Sequence, residues 1–553
     1  MRRGIDTVDA IDNFLSPKLS RLTPPSLWPS IPETAEILTK ALLEGKKIVI
    51  WGDYDVDGIT ATALCLEVLE HHHIPVEYYL PNRNTEGYGL NIQGIEALAA
   101  KGCSVLLTVD CGISNVLGVQ RAKELGMTVV ISDHHLAPRE IPKADALCNP
   151  KIMPAEKTPY PDLAGVGVAF YLMAEVNRLL SQKCHHTPYR MDNVLDLVAL
   201  GTLADLMPLT GENRILVAGG LRHIKKAHRL GIAALKMVSG FNIASEMKSI
   251  DISFKLVPRL NAAGRIEHAQ TALALLRSRN REEAVQLAEH LDQLNQIRRA
   301  EEDRILMEAR VQAEEQIKKT KASLVLYGAA WHSGIIGIVA SRIVDEFGKP
   351  TIVMCKTKNG LKGSGRSVGQ IDLHGVLTGI QDLLLVFGGH KAAAALTIKE
   401  ENLELFRRNF DEAVFHSLKK EVPEQPLILD GELNLSSAFC AETLDEIALM
   451  EPFGQNNPEP IFASPPLVVE RHDAIGYDRK NILLTVKDTT SGVRMQAKGW
   501  RLGGDFPPST LAGKIIRLAY VLRLNTFRGI PQPELEIKDL LIEKTKANSP
   551  QAH

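Results

Sequence analysis

The sequence predicts an α/β protein in three parts: a parallel-sheet domain, a long helix leading to a smaller α/β domain, and a small C-terminal β-barrel. Three observations carry this. Short β-rich apolar runs alternate with helical stretches from about residue 45 to 230, an order that builds a helix-covered parallel sheet. The stretch Arg277–Lys319 contains neither glycine nor proline and repeats apolar residues at helical spacing. After Pro423 and Pro426 the chain breaks into short alternating runs separated by Gly, Asn and Asp turns.

In the first part, Lys46–Trp51, Ser104–Val109 and Thr128–Ser132 read as strands, and Ile59–His71, Gly94–Ala100 and Val116–Leu125 as the helices between them. A Pro-rich loop, Pro150–Pro161, precedes helical Ala169–Leu180 and Val194–Ala204. In the long helix, Leu287, Leu291, Leu294 and Ile297 form the apolar stripe, with a coiled coil as the alternative. The second α/β part holds strand Ser323–Tyr327, a Gly-rich turn, helix Ile338–Glu346 and strand Thr351–Cys355. The barrel strands are Leu467–Arg471, Asn481–Val486, Val493–Trp500, Ile515–Leu524 and Leu535–Ile542, before a polar tail, Lys544–His553. The boundaries expected are 1–230, 231–321, 322–420 and 426–545.

A formal net charge of −2 on 553 residues rules out global basicity, so any nucleic-acid surface must be a local patch. The seven cysteines are scattered without a CxxC pair, which argues against a zinc ribbon or a disulfide framework and fits reduced cytoplasmic thiols. The opening Met-Arg-Arg-Gly-Ile-Asp is no signal peptide. Leu324–Val344, the most apolar long window, contains His332, Arg342 and several glycines, so no membrane span is expected.

Chemistry concentrates at the strand ends. Asp53, Asp55 and Asp57 follow the first apolar run, Asp110 the second, and Asp133-His134-His135 the third. Ligands in open α/β sheets collect at strand C-terminal ends, so these carboxylates could converge on one crevice. They stay ionised together only around a cation, and oxygen ligands with an imidazole suit Mg²⁺ or Mn²⁺. That is the chemistry of phosphate-ester or phosphoanhydride cleavage. A calcium-type loop is the alternative for Asp53–Asp57, though no Glu follows at the EF-hand position. A helix N-cap is the alternative for Asp110. Asp205 sits in a nearly apolar run and needs either a cation or a salt bridge. The His71–His73 and His185-His186 runs read as solvated.

A second set of residues has the character of an anion site. Arg83 lies in Pro81–Gly89, Arg259 and Arg265 bracket Asn261–Gly264, Ser364 and Arg366 lie in Gly363–Ser367, and Gly388-Gly389-His390 follows an apolar run. Glycine lets a backbone N–H approach a phosphate and Arg grips it bidentately, so a polyanion between two lobes is indicated.

The acidic motifs resemble the DHH phosphoesterase superfamily, and Gly363–Ser367 with Phe387–His390 resemble its DHHA1 domain. Trp331–Ala340, Pro258–Arg265 and Glu451–Pro460 narrow the resemblance to the RecJ family of single-strand-specific DNA exonucleases. It spans about Leu15 to Glu543. The resemblance implies a DHH domain, a linking helix, a DHHA1 domain and an OB-fold barrel, and 5′→3′ hydrolysis of single-stranded DNA to mononucleotides with two Mg²⁺ or Mn²⁺ ions. It implies that Asp55, Asp57, Asp110, His134 and Asp205 ligate the metals, with Asp53 and Asp133 ligating or orienting from close by. His135 would face the scissile phosphate. Arg83, Arg265, Ser364 and Arg366 would bind the terminal phosphate or the backbone. Arg259, Asn261, His332, Gly388, Gly389 and His390 join the expected DNA contacts. Tyr477, Lys480, Trp500, Arg517, Phe527 and Arg528 are candidate barrel contacts. Two departures stand out: Ala392–Ala395 occupy positions often held by glycine in the family, and Ser333 one often acidic or amide. Implied partners are a helicase and a single-strand-binding protein, with the chain a cytoplasmic monomer acting in recombination and repair. The rivals are a pyrophosphatase or cyclic-dinucleotide phosphodiesterase of the same superfamily, and a non-catalytic replication scaffold.

Overall fold

The computed structural model describes residues 3–83, 85–154, 158–369, 371–418, 426–476, 479–507, 509–525 and 532–543. The chain forms two compact units. One comprises Leu22–Met207 and Gly211–Glu424; the other comprises Met1–Arg21, Pro208–Thr210 and the C-terminal segment.

The larger unit opens with β1 (Ile48–Gly52), β2 (Val76–Tyr79), β3 (Val105–Val109), β4 (Thr128–Ser132) and β5 (Ala146–Cys148). All pair in parallel, in the order β2-β1-β3-β4-β5. β1 and β3 are buried along their whole length, as a sheet covered on both faces demands. The chain leaves β1 to one side for β2 and returns on the other side as β3. The C-terminal ends of β1 and β3 therefore flank the topological switch point, where open sheets take their ligands. The half-exposed β2 and the three-residue β5 are too short to show a period in sequence.

The helix Val56–His71 follows β1 and is buried along most of its length between the helices Gly165–Cys184 and Leu195–Ala204. Gly201 permits the approach: a Cβ there would stand 2.5 Å from Thr60 Oγ1 and 2.6 Å from Asp57 Oδ1. The expectation that His71–His73 is solvated fails at His72, which is buried and pairs its Nε2 with Asn177 Oδ1 at 2.9 Å.

The long helix runs Arg281–Gln316, capped by Asn280, whose side chain accepts from the backbone N–H groups of Glu282 and Glu283. It starts four residues later than its composition predicts, because Gln270–Arg277 is a separate helix. Its buried stripe is Ala284, Ala288, Leu291, Leu294, Ile305, Leu306, Ala309 and Ala313. Ile297, placed in the stripe from sequence, is 54 % exposed. Alanines hold the seam because neighbouring helices pack closely there, and a leucine-based reading passes over them.

The second sheet of this unit contains β6 (Leu324–Gly328), β7 (Thr351–Thr357), β8 (Gly360–Arg366), β9 (Leu384–Gly389) and β10 (Ala393–Ile398), in the order β6-β7-β8-β10-β9. Only β6 and β7 are parallel. The open edge of β6 is closed by two glutamines one turn apart on the long helix. Gln316 Nε2 donates to Val325 O at 2.8 Å and its Oε1 accepts from Val325 N at 3.1 Å. Gln312 does the same for Tyr327, at 2.9 and 3.1 Å. The two carboxamides copy a neighbouring strand and deny the edge to others.

The C-terminal unit has β11 (Gly431–Glu432), β12 (Phe462–Ala463), β13 (Leu467–Ile475), β14 (Asn481–Asp488), β15 (Arg494–Gly499), β16 (Ile515–Asn525) and β17 (Gln532–Ile542). Pairing runs β13-β14-β15-β17-β16 and returns to β13 through Leu467↔Ile516 and Val468↔Ile515 alone, so the expected barrel is only loosely closed. Val469, Ile482, Leu484, Leu518 and Tyr520 fill it. Met1–Arg21 groups with this unit, not with the sheet that follows it, so a domain running unbroken from residue 1 to 230 is not seen. Arg3 makes part of that attachment, donating to Pro458 O at 2.9 Å. Of the barrel candidates, Trp500 is 54 % exposed and Arg517 pairs with Glu543 at 2.8 Å. Tyr477, Phe527, Arg528 and the tail Lys544–His553 lie outside the described residues. Among those described, no helix is long and apolar enough to cross a membrane.

Candidate metal centre and phosphate cleft

The acidic residues meet at the switch point as their strand positions predict. Asp55 is the N-cap of Val56–His71, its Oδ1 accepting from Asp57 N and Gly58 N at 3.1 and 3.2 Å. Asp57, on the first turn, accepts from Gly165 N at 2.7 Å and Val166 N at 2.9 Å, the amide groups that open the next helix. Asp110 follows β3 with a left-handed φ of 60°, and Asn115, not Asp110, stands at the N-cap position of the helix that follows, without a side-chain capping bond. His134 Nε2 lies 3.1 Å from Asp110 Oδ1, 3.6 Å from Asp205 Oδ2 and 3.8 Å from Asp57 Oδ2. The ligand atoms fall into three groups within 4.8 Å: Asp110, His134 and His135; Asp57, His134 and Asp205; Asp53, Asp55 and Asp110. Asp110 and His134 each fall in two of these groups; the two oxygens of Asp110 could serve two ions, whereas the single lone pair of a neutral His134 could serve one.

Charge at this centre is uncompensated. Burial, then the neighbouring carboxylates, pushes Asp53, Asp57 and Asp110 well above the usual carboxylate range. Burial and Asp55 lift Asp205 to about 7. Among the described residues no Lys or Arg pairs with any of them, so the salt bridge considered for Asp205 is absent. Burial and His135 lower His134 to about 3, leaving a neutral imidazole with a lone pair to offer. Asp53 Oδ1 and Asp110 Oδ1 are buried without hydrogen-bond partners. Oxygen ligands plus a neutral imidazole, with lone pairs aimed at shared points, fit a hard divalent cation.

Asp133, expected among the metal ligands, joins none of these groups. Its Oδ1 accepts from His134 N, His135 N and His135 Nδ1 at 2.7, 3.1 and 2.8 Å, and its Oδ2 accepts from Ile113 N at 2.9 Å. With those bonds it orients His135. Burial alone would lower His135, but the Asp133 bond outweighs it and raises the imidazole to about 9.

Across from the acidic centre is a cleft of about 640 Å³, lined by Tyr54, Arg83 and Arg265 from the first half of the unit and by Ser364, Arg366 and Gly388 from the second. Arg83 sits over the Tyr54 ring, 5.0 Å from its centroid. Arg265 donates to Gly334 O at 3.1 Å, and burial followed by Arg83, Arg298 and Arg366 pulls it down to about 9. Burial and Arg83 also lower Arg366. Three guanidiniums lining one cleft, with no carboxylate paired to any of them among the described residues, form an anion site. The helix Val257–Ile266 reaches the Asp53-Tyr54 turn only because Gly264 lacks a side chain, a Cβ there standing 2.6 Å from Tyr54 O.

Five of the expected DNA contacts, Arg259, Asn261, His332, Gly389 and His390, are not part of the cleft lining. Arg259 is spent on Asp292 Oδ1 (2.8 Å) and Lys255 O (2.6 Å), tying its helix to the long one. His332 accepts from Gly334 N and faces Glu301, outside the cleft lining. Asn261 is also absent from that lining, one turn before Arg265. Gly389 takes φ 145° at the end of β9, and His390 beside it feels the charges of Arg366 and His135. Sequence reasoning missed Tyr88, whose hydroxyl contacts His135 Nδ1 at 3.2 Å, and Gly165, where a Cβ would stand 2.4 Å from Asp110 Oδ1. The Gly165-Val166-Gly167 opening of a helix was the available signal.

Family profiles match residues 47–202 (DHH family, N-terminal domain), 320–415 (DHHA1 domain) and 429–539 (RecJ OB domain). The chain is 38 % identical to the single-stranded-DNA-specific exonuclease RecJ of Haemophilus influenzae, over 95 % of this chain and 92 % of that one. It is 34 % identical to RecJ of Bacillus subtilis, over 98 % of this chain and 67 % of that one. The crystal structure of Thermus thermophilus RecJ in complex with Mn²⁺ superposes with a TM-score of 0.81 at 28 % identity, covering 97 % of this chain and 74 % of that one. The Mg²⁺ complex of the same protein gives 0.75 at 27 % identity, covering 99 % and 74 %. With identity sustained across nearly its whole length, the chain belongs to the RecJ family of single-stranded-DNA-specific exonucleases.

Proposed function

We propose that the protein degrades single-stranded DNA from its 5′ end to mononucleotides, using two divalent cations, Mg²⁺ or Mn²⁺. The observation that carries this is a group of carboxylates without a cationic partner beside a cleft lined by guanidiniums, close enough that Arg83 acts on Asp53 and Asp55 on Arg265. Asp53, Asp55, Asp57, Asp110, His134 and Asp205 would hold the ions, with His135 at the edge of the centre. When bound, such ions lower the pKa of water and neutralise charge on phosphoryl oxygens. Asp133 keeps His135 protonated and aimed, so that it can donate to a phosphate oxygen. Arg83, Ser364 and Arg366 grip the 5′-terminal phosphate, and Arg265 supports them from the buried side. That grip sets one nucleotide between the terminal and scissile phosphates. A cleft of about 640 Å³ takes a single strand and not a duplex, and the barrel offers further strand contacts of the kind OB folds make. In this reading the enzyme is a cytoplasmic monomer working beside a helicase and a single-strand-binding protein in recombination and repair.

The test is incubation of 5′-labelled single-stranded DNA, duplex DNA and a cyclic dinucleotide with Mn²⁺. Release of mononucleotides from the single strand alone is expected, and cleavage of the dinucleotide alone would overturn the reading. Asp55→Asn, which keeps the helix cap, should abolish cleavage while single-strand binding persists.

A further inference from the structure

β8 alternates strictly: Leu361, Gly363 and Gly365 are buried, while Lys362, Ser364 and Arg366 face the cleft. Period-two geometry makes these three side chains one row. Ser364 and Arg366 are already engaged, Arg366 Nη1 lying 3.2 Å from Ser364 Oγ. The Lys362 ammonium has no hydrogen bond or ion pair among the described residues. Burial, then Arg83, pushes its ammonium below the usual lysine range, and no carboxylate acts on it.

The row has a direction. Arg366 pairs across to Ala393 and Lys362 to Thr397, so Arg366 is at the end of β8 near Gly388-Gly389-His390. His390 senses both Arg366 and His135, which places that end toward the acidic centre. At about 3.3 Å per residue, Lys362 is about 13 Å further along the strand than Arg366. Around it the cleft continues, walled by Ile338, Ser341 and Thr397. This continuation lies on the 5′ side of a terminal phosphate held at Arg83, Ser364 and Arg366. A monophosphorylated end has nothing to put there.

We propose that the cleft accepts 5′-di- and triphosphorylated strand ends, with Lys362 holding the outer phosphoryl group. This rests on the reading that the same cleft binds a 5′-phosphorylated strand. Water adds to the phosphorus of the second nucleotide and the bond to O3′ of the first breaks. A nucleoside 5′-triphosphate bearing a free 3′-hydroxyl leaves, and the remaining strand carries a 5′-monophosphate. The first product from such an end is therefore a nucleoside triphosphate, and every later one a monophosphate.

The test compares single-stranded oligonucleotides of one sequence with 5′-monophosphate or 5′-triphosphate ends, under Mn²⁺, resolving products by ion-exchange chromatography. Wild type should release the nucleoside triphosphate first. Lys362→Met, which keeps the aliphatic stem, should raise KM for the triphosphate end about tenfold more than for the monophosphate end, the weight of one charge-assisted hydrogen bond. Lys362→Arg should restore the ratio. Three results would overturn the inference: refusal of triphosphate ends by wild type, an equal KM rise for both ends, or dinucleotides from monophosphate ends, which would make Lys362 a backbone contact. Failure of wild type on the monophosphate end would instead sink the exonuclease reading itself.

Discussion

Gly165→Ala tests the metal centre without removing a ligand. The new Cβ would stand 2.4 Å from Asp110 Oδ1, 2.6 Å from its Cβ and 2.7 Å from its Cγ. Ordinary contact begins near 3.4 Å, so Asp110 must retreat by about 1 Å. It cannot swing freely, because its backbone is held in the left-handed region at the end of a fully buried strand. Forcing a methyl group into such packing costs about 1–3 kcal/mol of stability, and a 1 Å misplacement of a reacting group costs on the order of 10² in rate. The backbone of Gly165 is not left-handed, so the penalty is steric alone. Gly167→Ala, two residues on, is the control: its Cβ would meet Leu163 alone, 3.3 Å from Cδ2 and 3.4 Å from Cβ, close to ordinary contact. That variant should be neutral or gain up to about 1 kcal/mol from helix propensity. The assay is kcat on 5′-phosphorylated single strands with Mn²⁺, beside Mn²⁺ titration calorimetry and thermal melts of both variants. If Gly165→Ala keeps kcat and Mn²⁺ affinity within threefold of wild type, Asp110 is not at the metal centre.

Mn²⁺ should stabilise the protein more at pH 8 than at pH 6, since carboxylates held above 3.8, with Asp205 at about 7, are protonated on acidification and the ion must displace those protons. The metal-free protein carries the opposite sign, gaining stability as pH falls through those raised values, and melts with and without Mn²⁺ across pH 6–8 read both trends. Asp411→Ala should destabilise by about 3 kcal/mol, because Asp411 accepts from the backbone N–H groups of Lys321, Ala322 and Ser323 at 2.9, 2.9 and 2.8 Å. Burial opposes its charge but those bonds win and lower its pKa, so the charge-dependent contribution is full above pH 3.8 and is lost progressively as pH falls from there through the lowered folded value, as urea unfolding in steps down from pH 7 would show. Gln316→Ala strips the partner from Val325 N–H on the β6 edge and leaves Val325 O to Arg407 Nε alone, and should cost about 1–2 kcal/mol. It should also give higher-order species by light scattering, and a monodisperse variant of unchanged stability would refute the strand-mimic account.

The first sheet was legible because β1, β3 and β4 are short, mostly apolar runs, and Asp53, Asp110 and Asp133 could be placed because each follows one of them directly, whereas Asp205 ends a helix. The edge strands β2 and β5 were not legible, being short and half exposed, so no period separates them from loop. Residue type did not distinguish ligand from support. Asp133 and Asp110 look alike in sequence, yet the first is saturated by N–H donors while the second keeps a bare oxygen. Arg259 and Arg265 bracket the same small-residue run on one helix. A six-residue spacing turns them to different sides, one toward Asp292 and the other toward the cleft. Such outcomes depend on packing partners remote in the chain, which local pattern does not carry.

Opposite charges this close would ordinarily collapse into ion pairs, and the structure shows what prevents it. Arg83 acts electrostatically on Asp53, yet its guanidinium rests on the Tyr54 ring and no Arg83–Asp53 ion pair forms. Arg265 feels Asp55 but is anchored away from it by Gly334 O. Had these arms fallen onto the carboxylates, each cluster would satisfy the other and neither cation nor phosphate would find an unfilled partner. Held apart, the carboxylates can be relieved by divalent ions and the guanidiniums by phosphate. Each relief also leaves the other cluster in place to be relieved in turn. The strain of two unpaired clusters is thus a cost in the free protein that the metal-loaded, strand-bound state removes, which selects for substrates delivering phosphate to one side and a phosphodiester to the other.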